Sequence, residues 1–241
     1  MSRRAKRKEA VRALLMARDV DGLLSWARQE RNPTTVLASL LYAPEELLRW
    51  RAVEGLGRLS TQVAEGGLEG VREMVRRAFW AMNDESGGLL WNGPEVIAEI
   101  LWNVPALVTE YVNLLPHFLR EEPFERGAAW ALARLAPLRP SALTERADEL
   151  LTLLRDDDLC RGDPYIRGHL GAAVSLLGRD ETRERIRSLT DDRATITVYD
   201  SATGELTATA VGTLVSAALV ESDVGGYSPL PPPPPCLTGE T

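Results

Sequence analysis

The chain has 241 residues, of which 44% are hydrophobic and 26% are charged, which is ordinary for a globular protein with a substantial core. Its net charge is −7, and because five basic residues lie within the first eight positions, the remainder carries about −12. An acidic body argues against a nucleic-acid-binding function, which needs a basic face to displace counterions from phosphates. Only Cys160 and Cys236 are present, which excludes a disulfide framework and a cysteine-based metal cluster.

The basic residues near the N-terminus do not have the pattern of a secretory signal peptide. The basic residues 3–8 lead into the mixed pattern of residues 11–18 and not into an apolar stretch with a cleavage site, which argues against a signal peptide. No run of about 18 apolar residues is present, so we expect no membrane span and a cytoplasmic location. The basic run itself has the pattern of a solvated terminus, and the alternative is a contact with nucleic acid or an acidic surface.

Most of the chain has apolar residues at helical spacing. Residues 71–82 carry a broad apolar stripe, and residues 107–118 and 143–154 repeat the pattern. Short stretches that contain proline or glycine, and so interrupt helices, separate segments of roughly 10 to 20 residues. Several of these stretches place proline just inside a helix start. This arrangement predicts a series of short antiparallel helices and not a coiled coil.

One short pattern recurs along the chain. Asp163–Gly178 begins with Asp-Pro-x-x-Arg and continues with small residues and Leu-Leu-Gly, and residues 123–132 and 48–57 have a related form. The arginines of the three copies are 75 and 41 residues apart, so one further copy at residues 94–101 gives a period of about 37 to 41 residues. These arginines are Arg51, Arg126 and Arg167. A period of this size is typical of stacked helix pairs.

Through the stretch from Asp163 to Gly178 and its weaker copies, residues 34–178 resemble HEAT-repeat proteins, including the short bacterial HEAT-like type named after bilin lyases. The resemblance implies an all-α fold, an α-solenoid of about five HEAT-like helix pairs that occupies residues 1–192. It implies little about function, because this fold hosts scaffolds, adaptors and a few enzymes. We expect the repeated arginines to bind backbone or acidic groups of an adjacent repeat.

The pattern changes after Asp192. Thr195–Tyr199 and Glu205–Ala210 alternate between apolar and polar residues, and Asp200–Gly204 has the composition of a turn. The sequence therefore predicts a β-hairpin in which Gly204 adopts a positive φ.

An isolated two-stranded hairpin is marginal in water, so we expect residues 193–220 to form a cap on the last helix pair, with residues 211–220 as a closing helix. The alternative is an edge strand that recruits a partner. Residues 221–241 contain five consecutive prolines and are predicted to be a disordered tail, with a ligand for a proline-binding module as the alternative.

Residues 80–102 form a segment that the helical architecture does not fully explain. A loop with acidic, amide, hydroxyl and glycine residues lies between tryptophans, and helical spacing places Glu95, Glu99 and Trp102 on a face separate from the apolar positions. One interpretation is a capped loop whose tryptophans cover the join between repeats. The other is a recognition surface that selects a basic partner, a cation or an amine. The candidate binding residues are Trp80, Asn83, Asp84, Glu85, Trp91, Glu95, Glu99, Trp102, His117 and Arg126.

Enzymatic chemistry has little support in the sequence. A histidine with nearby carboxylates, such as His117, is able to ligate a metal, but the chain has only one other histidine, His169, and lacks the His-Glu dipeptides of HEAT-fold metal hydroxylases. HEAT-like DNA glycosylases, a second precedent, need a basic concave face. No phosphate loop, catalytic triad or Cys-His pair is apparent, so we predict no metal and no cofactor.

We therefore predict a non-enzymatic interaction or scaffold module that binds a protein or peptide partner of basic character, and neither nucleic acid nor membrane. The alternative is an enzyme, or a protein that binds a small ligand or metal, with a carboxylate and tryptophan pocket around residues 80–126. The two hypotheses differ in whether these side chains meet in a concavity or lie on an open surface.

Overall fold

The computed structural model describes residues 3–83, 89–138, 141, 143, 145–160, 162–177 and 180–223. The chain is mostly helical, with one two-stranded antiparallel sheet after the last long run of helices, as the sequence predicts. The helices are α1 (Arg3–Ala17), α2 (Val20–Gln29), α3 (Pro33–Ala38), α4 (Glu46–Ala64), α5 (Leu68–Met82), α6 (Gly93–Asn103), α7 (Val108–Tyr111), α8 (Glu125–Leu135), α9 (Ala147–Arg155), α10 (Asp157–Cys160), α11 (Pro164–Ser175), α12 (Asp180–Thr190) and α13 (Val211–Asp223). The strands are β1 (Thr195–Asp200) and β2 (Glu205–Ala210).

The helices pack in a consecutive series. α4 packs against α6, α6 against α8, α8 against α11 and α11 against α13, while α5 lies against α4 and α6. Buried apolar side chains from α1 to α13 form one continuous core. Small buried residues such as Ala128 and Ala129 in α8 and Ala173 in α11 allow these helices to approach one another closely. None of the described helices combines the length and the apolar character that a membrane span requires.

Ion pairs between arginine and carboxylate recur at a nearly constant separation. Six of those in the described residues join positions 33 to 38 residues apart, with N···O distances of 2.6 to 2.9 Å. They are Arg12–Glu45, Arg18–Glu54, Arg72–Glu110, Glu99–Arg134, Arg120–Asp156 and Arg126–Asp163. This interval is close to the period of 37 to 41 residues that the recurring sequence pattern predicts.

The three repeated arginines bind backbone or acidic groups, and their partners lie at different distances along the chain. Arg126 Nε lies 2.6 Å from Asp163 Oδ2, and Arg167 Nε lies 2.6 Å from Asp192 Oδ2. Arg51 is buried, and its guanidinium donates to backbone carbonyls at the end of α1 and in the hairpin turn. Arg126 and Arg167 therefore connect neighbouring parts of the chain, whereas Arg51 connects α4 with the distant hairpin.

One local prediction is wrong. Residues 107–118 do not form one α-helix: α7 lies between two 3₁₀ segments, Pro105–Leu107 and Val112–Arg120. Pro116 lies within the second segment, and because proline has no N–H and crowds the preceding turn, it disfavours a regular α-helix there.

The basic residues at the N-terminus belong to α1. Lys6 and Lys8 are exposed, as expected of a solvated run, and Lys8 Nζ donates to the Ser39 carbonyl at 3.2 Å.

The hairpin forms at the predicted residues. β1 and β2 pair from Thr195↔Ala210 to Asp200↔Glu205, and Gly204 has a φ of 73°. The strands contact α11 and α13, as a cap on the last helices would, but their connecting turn reaches side chains from α4 and from the end of α1. The hairpin therefore bridges distant parts of the chain. The proline-rich segment lies outside the described residues.

Candidate functional site

Trp80 and Trp91, here called the outer tryptophan pair, are exposed side chains on consecutive elements. Their relative exposures are 71% and 69%. Trp80 lies in the last turn of α5, and the backbone N–H of Leu90 donates to the carbonyl of Ala81 at 3.1 Å, which returns the segment carrying Trp91 to the end of α5. Both indoles are thus exposed to solvent near the C-terminal end of α5.

An aromatic cluster extends from the end of α5 to His117. The ring of Phe79 lies 6.2 Å from that of Tyr111 and 5.9 Å from that of Phe118, and the His117 ring lies 5.7 Å from Phe118. His117 itself is exposed, and its Nε2 lies 3.1 Å from Glu121 Oε1. Among the described residues, no group of three or more His, Cys, Asp or Glu side chains is arranged to hold a metal ion.

The loop between α5 and α6 is only partly described. Asn83 Nδ2 donates to the carbonyl of Phe79 at 2.8 Å. The side chain therefore supplies a hydrogen-bond donor to a carbonyl in the last turn of α5 and has a local structural partner. Asp84 and Glu85, which the sequence also suggests as binding residues, lie outside the described residues.

Glu95 and Glu99 are buried, with relative exposures of 7% and 3%, which corrects the expectation that they flank the tryptophans on an exposed surface. The reason is the position of α6, which packs against α4, α5 and α8 at once. Helical spacing separates these glutamates from the apolar positions of α6, as predicted, but the polar stripe faces other helices and not solvent.

Glu99 belongs to a polar network that connects α6, α8 and the hairpin turn. Its Oε1 lies 2.7 Å from Arg134 Nε, and the Arg134 guanidinium lies 3.8 Å from the centre of the Trp102 ring. Asn103 Nδ2 donates to Glu99 Oε2 at 3.4 Å, and Arg134 Nη1 donates to Ser201 Oγ at 3.1 Å. Arg134 balances the charge of Glu99, so this carboxylate has a structural partner. The same guanidinium lies over one face of the half-buried Trp102 ring.

Glu95 is less well satisfied. Asn92 Nδ2 donates to its Oε1 at 3.2 Å, whereas Oε2 is buried without a hydrogen-bond partner among the described residues. This carboxyl packs on Gly127 of α8, where an added Cβ would lie 2.5 Å from Oε2, so the close approach requires glycine. Burial raises the pKa of Glu95 to about 7, because removal from water penalises the charged carboxylate.

Arg126 connects the N-terminal ends of α8 and α11. In addition to its ion pair with Asp163, its guanidinium lies 5.7 Å from the centre of the Tyr165 ring. Asp163 Oδ1 in turn accepts hydrogen bonds from the backbone N–H groups of Tyr165 and Ile166 at 2.9 and 3.4 Å, and so caps α11. Arg126 thus supports a helix end, although its side chain remains largely exposed.

His169 is buried. Its Nδ1 lies 2.9 Å from the carbonyl of Tyr165, and the two rings are 4.2 Å apart. Burial lowers the pKa of His169 to about 4, so near pH 7 the ring is neutral and Nδ1 carries the hydrogen that the carbonyl accepts.

A second aromatic group lies under the hairpin, and the sequence analysis did not identify it. The ring of Trp50 in α4 lies 4.9 Å from that of Trp130 in α8, and α6 packs against both of these helices. The ring of Tyr199 in β1 stacks on Trp50 at 5.3 Å, and the two rings are parallel. Tyr199 Oη donates to Glu54 Oε2 at 2.5 Å, and burial raises the pKa of this phenol. Local spacing carried no signal for these contacts, because the partners are about 145 residues apart.

Arginines hold the hairpin turn against this group. Arg18 donates to the carbonyl of Ala202 at 2.9 Å, and Arg51 donates to the carbonyl of Gly204 at 3.1 Å and to Glu205 Oε1 at 2.6 Å. A Cβ on Gly204 would lie 2.2 Å from the Arg18 side chain, so the turn needs glycine for both its positive φ and this contact. We call the surface under the hairpin the hairpin-covered face. It comprises Arg18, Trp50, Arg51, Glu54, Trp130 and Arg134.

An open groove of about 480 Å³ lies beside the hairpin, between the strands and helices α8, α11 and α13. It is lined by aromatic, basic and hydroxyl side chains that include Trp130, Arg134, His169, Thr207, Thr209 and Thr213.

Comparison with known proteins identifies one distant relative and no functional assignment. No protein-family model matches the chain, and no solved structure matches it. An uncharacterised protein of Archaeoglobus fulgidus is 28% identical over 173 residues, which cover 71% of this chain and 88% of the archaeal protein. The function of the chain therefore has to be argued from its own side chains.

Proposed function

We propose that the chain is a non-enzymatic interaction module, built as a short HEAT-like α-solenoid, that docks a protein or peptide partner on the outer tryptophan pair. The exposure of Trp80 and Trp91, about seven tenths of each side chain surface, carries this proposal. The consecutive packing of the helices and the ion pairs that join residues 33 to 38 positions apart support stacked helix pairs of the HEAT type.

Tryptophan is suited to this role because it presents a large, rigid apolar surface with one hydrogen-bond donor. Tryptophans at the centres of interfaces often cost about 2 kcal/mol or more of binding free energy when they are truncated. The acidic body of the chain favours a partner with basic residues at the rim of the interface, since complementary charge increases the association rate.

The alternative is an enzyme or a small-ligand-binding protein that uses the carboxylates of α6. One observation favours it: a buried carboxyl with a pKa of about 7, as in Glu95, resembles the groups that occur at active sites. Against it, the unpartnered oxygen of Glu95 packs on Gly127, and Glu99 is paired with Arg134. The interaction module is therefore the better-supported function.

The test begins with capture of a stoichiometric partner by the tagged full-length chain. The dissociation constant is then measured for the wild type and for the double variant Trp80→Ala/Trp91→Ala. We expect the double variant to bind at least about 10-fold more weakly, because both anchors are lost while the core is untouched. Tyr42→Ala, which removes another exposed aromatic ring at a different place in the chain, is the matched control and should bind like the wild type.

A photoreactive amino acid placed at position 91 should then crosslink to the partner, and the same group at position 42 should not. Wild-type affinity in the double variant would refute the assignment of the outer tryptophan pair. Equal loss of affinity in the Tyr42→Ala control would refute it as well, because the effect would then not depend on the site.

A further inference from the structure

The solvent-facing side of α5 carries a narrow stripe of residues that ends at Trp80 of the outer tryptophan pair. The stripe, at intervals of four, three and four positions, consists of Glu69, Glu73, Arg76 and Trp80. Helical spacing places these residues on one side of the helix, and each of them is at least 46% exposed. The opposite side of α5 is buried against α4 and α6. The stripe is therefore a continuous exposed surface about 16 Å long.

The order of residues in the stripe has the symmetry that contact between two identical copies requires. In a two-fold dimer the same surface of both copies meets, so each contact occurs twice. When two copies of α5 lie antiparallel with the axis between positions 74 and 75, Glu73 of one copy lies opposite Arg76 of the other. Glu69 then lies opposite Trp80. Because the intervals are the same in both directions, all these contacts form together.

Each pair joins groups of complementary chemistry. Glu73 and Arg76 have opposite charges, and the exposed Arg77 adds a second cation near the same carboxylate. The indole of Trp80 has a hydrogen-bond donor and no acceptor, whereas the carboxylate of Glu69 is an acceptor. Within one chain Arg76 Nη2 already lies 2.6 Å from Glu69 Oε1 and 3.2 Å from Glu73 Oε2. Contact with a second copy therefore exchanges one set of ion pairs for another and leaves no charge without a partner.

The charges determine the orientation of the two copies, and the tryptophans provide the affinity. Exposed ion pairs contribute little net free energy, but a parallel arrangement would place Glu73 against Glu73 and is disfavoured. The stripe and Arg77 together carry two carboxylates and two guanidiniums, whereas the whole chain has a net charge of −7. Two copies therefore meet on this surface without net repulsion between like charges.

The start of α5 leaves room for the other tryptophan of the pair. Antiparallel contact brings the end of one α5, beside which Trp91 lies, to the start of the other. Gly67 precedes that start, and a Cβ added there would meet nothing within 4 Å. The indole of Trp91 thus has open space beside the backbone of the second copy.

We propose that the partner of the outer tryptophan pair is a second copy of this chain, bound by antiparallel contact between the two α5 helices. This inference rests on the proposed function, because it names the occupant of the same surface. Glu69 of each copy accepts the indole hydrogen of Trp80 from the other copy. Arg76 and Arg77 supply the basic residues at the rim of the interface.

Sedimentation velocity on the full-length chain tests the proposal. Between about 1 and 200 µM we expect a monomer–dimer equilibrium with a Kd of about 10 µM. Trp80→Ala/Trp91→Ala should weaken the dimer at least about 10-fold, because both anchors are lost. Glu73→Arg and Arg76→Glu should each weaken it by at least about 10-fold as well, since each places like charges opposite one another twice. Glu45→Arg, which changes the charge equally at an exposed ion pair with Arg12, is the matched control and should dimerise like the wild type.

A mixture of the Glu73→Arg and Arg76→Glu variants is the sharper test. One variant then has arginine at both positions and the other has glutamate at both, so every charged pair between them is complementary. We expect the mixture to form a dimer with an affinity close to that of the wild type, although neither variant does so alone. Two weakened variants that fail to associate when mixed would overturn the antiparallel pairing.

The wild type alone also decides, without any substitution. A chain that remains monomeric at about 200 µM would overturn the inference. The proposed function would then still stand if a different captured protein binds the Trp80→Ala/Trp91→Ala variant more weakly than the wild type. A dimer that the tryptophan substitutions do not weaken would likewise overturn the inference, because the two copies would then meet on another surface.

Discussion

The molecule contains two tryptophan pairs in contrasting situations. The outer pair, Trp80 and Trp91, is about 70% exposed, whereas Trp50 and Trp130 under the hairpin are at most 7% exposed. Trp50 of the buried pair is covered by a ring from a strand about 150 positions away, while the outer pair lies beside a partly described loop. The same residue type thus serves the interior of the chain in one place and is available to another molecule in the other.

The difference shows that burial here depends on what the rest of the chain brings to a helix face. Trp50 and Trp130 lie on helices of the consecutive series and face the returning hairpin, whereas Trp80 lies at the end of α5, outside that series. We therefore expect substitutions of the buried pair to lower the free energy of unfolding, and substitutions of the outer pair to weaken binding of the partner.

The largest effect is expected for Trp130→Ala. Removal of this buried indole leaves a cavity beside Trp50, and we expect a loss of about 3–5 kcal/mol in the free energy of unfolding. Trp80→Ala, the matched change at the outer pair, should alter it by less than about 0.5 kcal/mol. Urea unfolding followed by circular dichroism measures both values. Similar losses in the two variants would end the distinction between an interior and an exterior pair.

The next effect concerns Glu95 and pH. The pKa of Glu95 is raised from 4.5 to about 7, so between these values the folded state keeps a proton that the unfolded state releases, and stability falls as the pH rises through that window. Glu95→Gln removes this titration, and above pH 7 we expect it to be more stable than the wild type by about 3 kcal/mol. Urea unfolding at pH 5 and pH 8 measures the difference, which should be much smaller at pH 5. A difference between the two proteins that does not change with pH would show that Glu95 is not buried as a neutral acid.

A smaller effect is expected for Gly127→Ala. The added methyl group would lie 2.5 Å from Glu95 Oε2, and overpacking of this kind costs about 1–3 kcal/mol. Gly168→Ala is the matched control, because it is also a helical glycine but its nearest neighbours would lie at an ordinary 3.4 Å or more. We expect that control to be neutral or slightly stabilising, since alanine favours the helix. Equal melting temperatures for the two variants would contradict the close contact between α6 and α8.

The smallest change in stability is expected for Trp80→Phe/Trp91→Phe, which should unfold within about 0.5 kcal/mol of the wild type. Its tryptophan fluorescence should nevertheless become much less sensitive to acrylamide, because the two most exposed indoles have been removed. Trp50→Phe is the comparison, and it should leave the accessible fraction of the fluorescence nearly unchanged. Undiminished quenching in the double variant would show that the outer pair is covered in solution.

Features set by neighbouring residues could be predicted from the sequence. The apolar stripe of α5 and the hairpin with Gly204 at a positive φ follow from local spacing and turn chemistry, and both agree with the structure. The 3₁₀ segment around Pro116 differs from the predicted helix, because the proline interrupts a stretch whose apolar residues nevertheless have helical spacing. The solenoid arrangement and the partner remain predictions.

The environment of the candidate site could not be predicted in the same way. Helical spacing separated Glu95 and Glu99 from the core positions of α6, but it holds no information on whether that face meets water or another helix. Likewise, the contact between Trp50 and Tyr199 depends on the whole series of helices that brings β1 back to α4. Such contacts follow from tertiary structure and not from any local pattern.

The hairpin turn has a consequence for the order of events during synthesis. The turn contacts Arg18, and these partners are about 184 positions apart in the chain. The contact therefore forms only after the ribosome has released both Arg18 and the turn. Trp130 is made 75 residues before Glu205, an interval of about 4 to 15 s at ordinary translation rates. Until β1 has been made, Tyr199 is absent, and Trp50 lacks the ring that stacks on it in the folded chain.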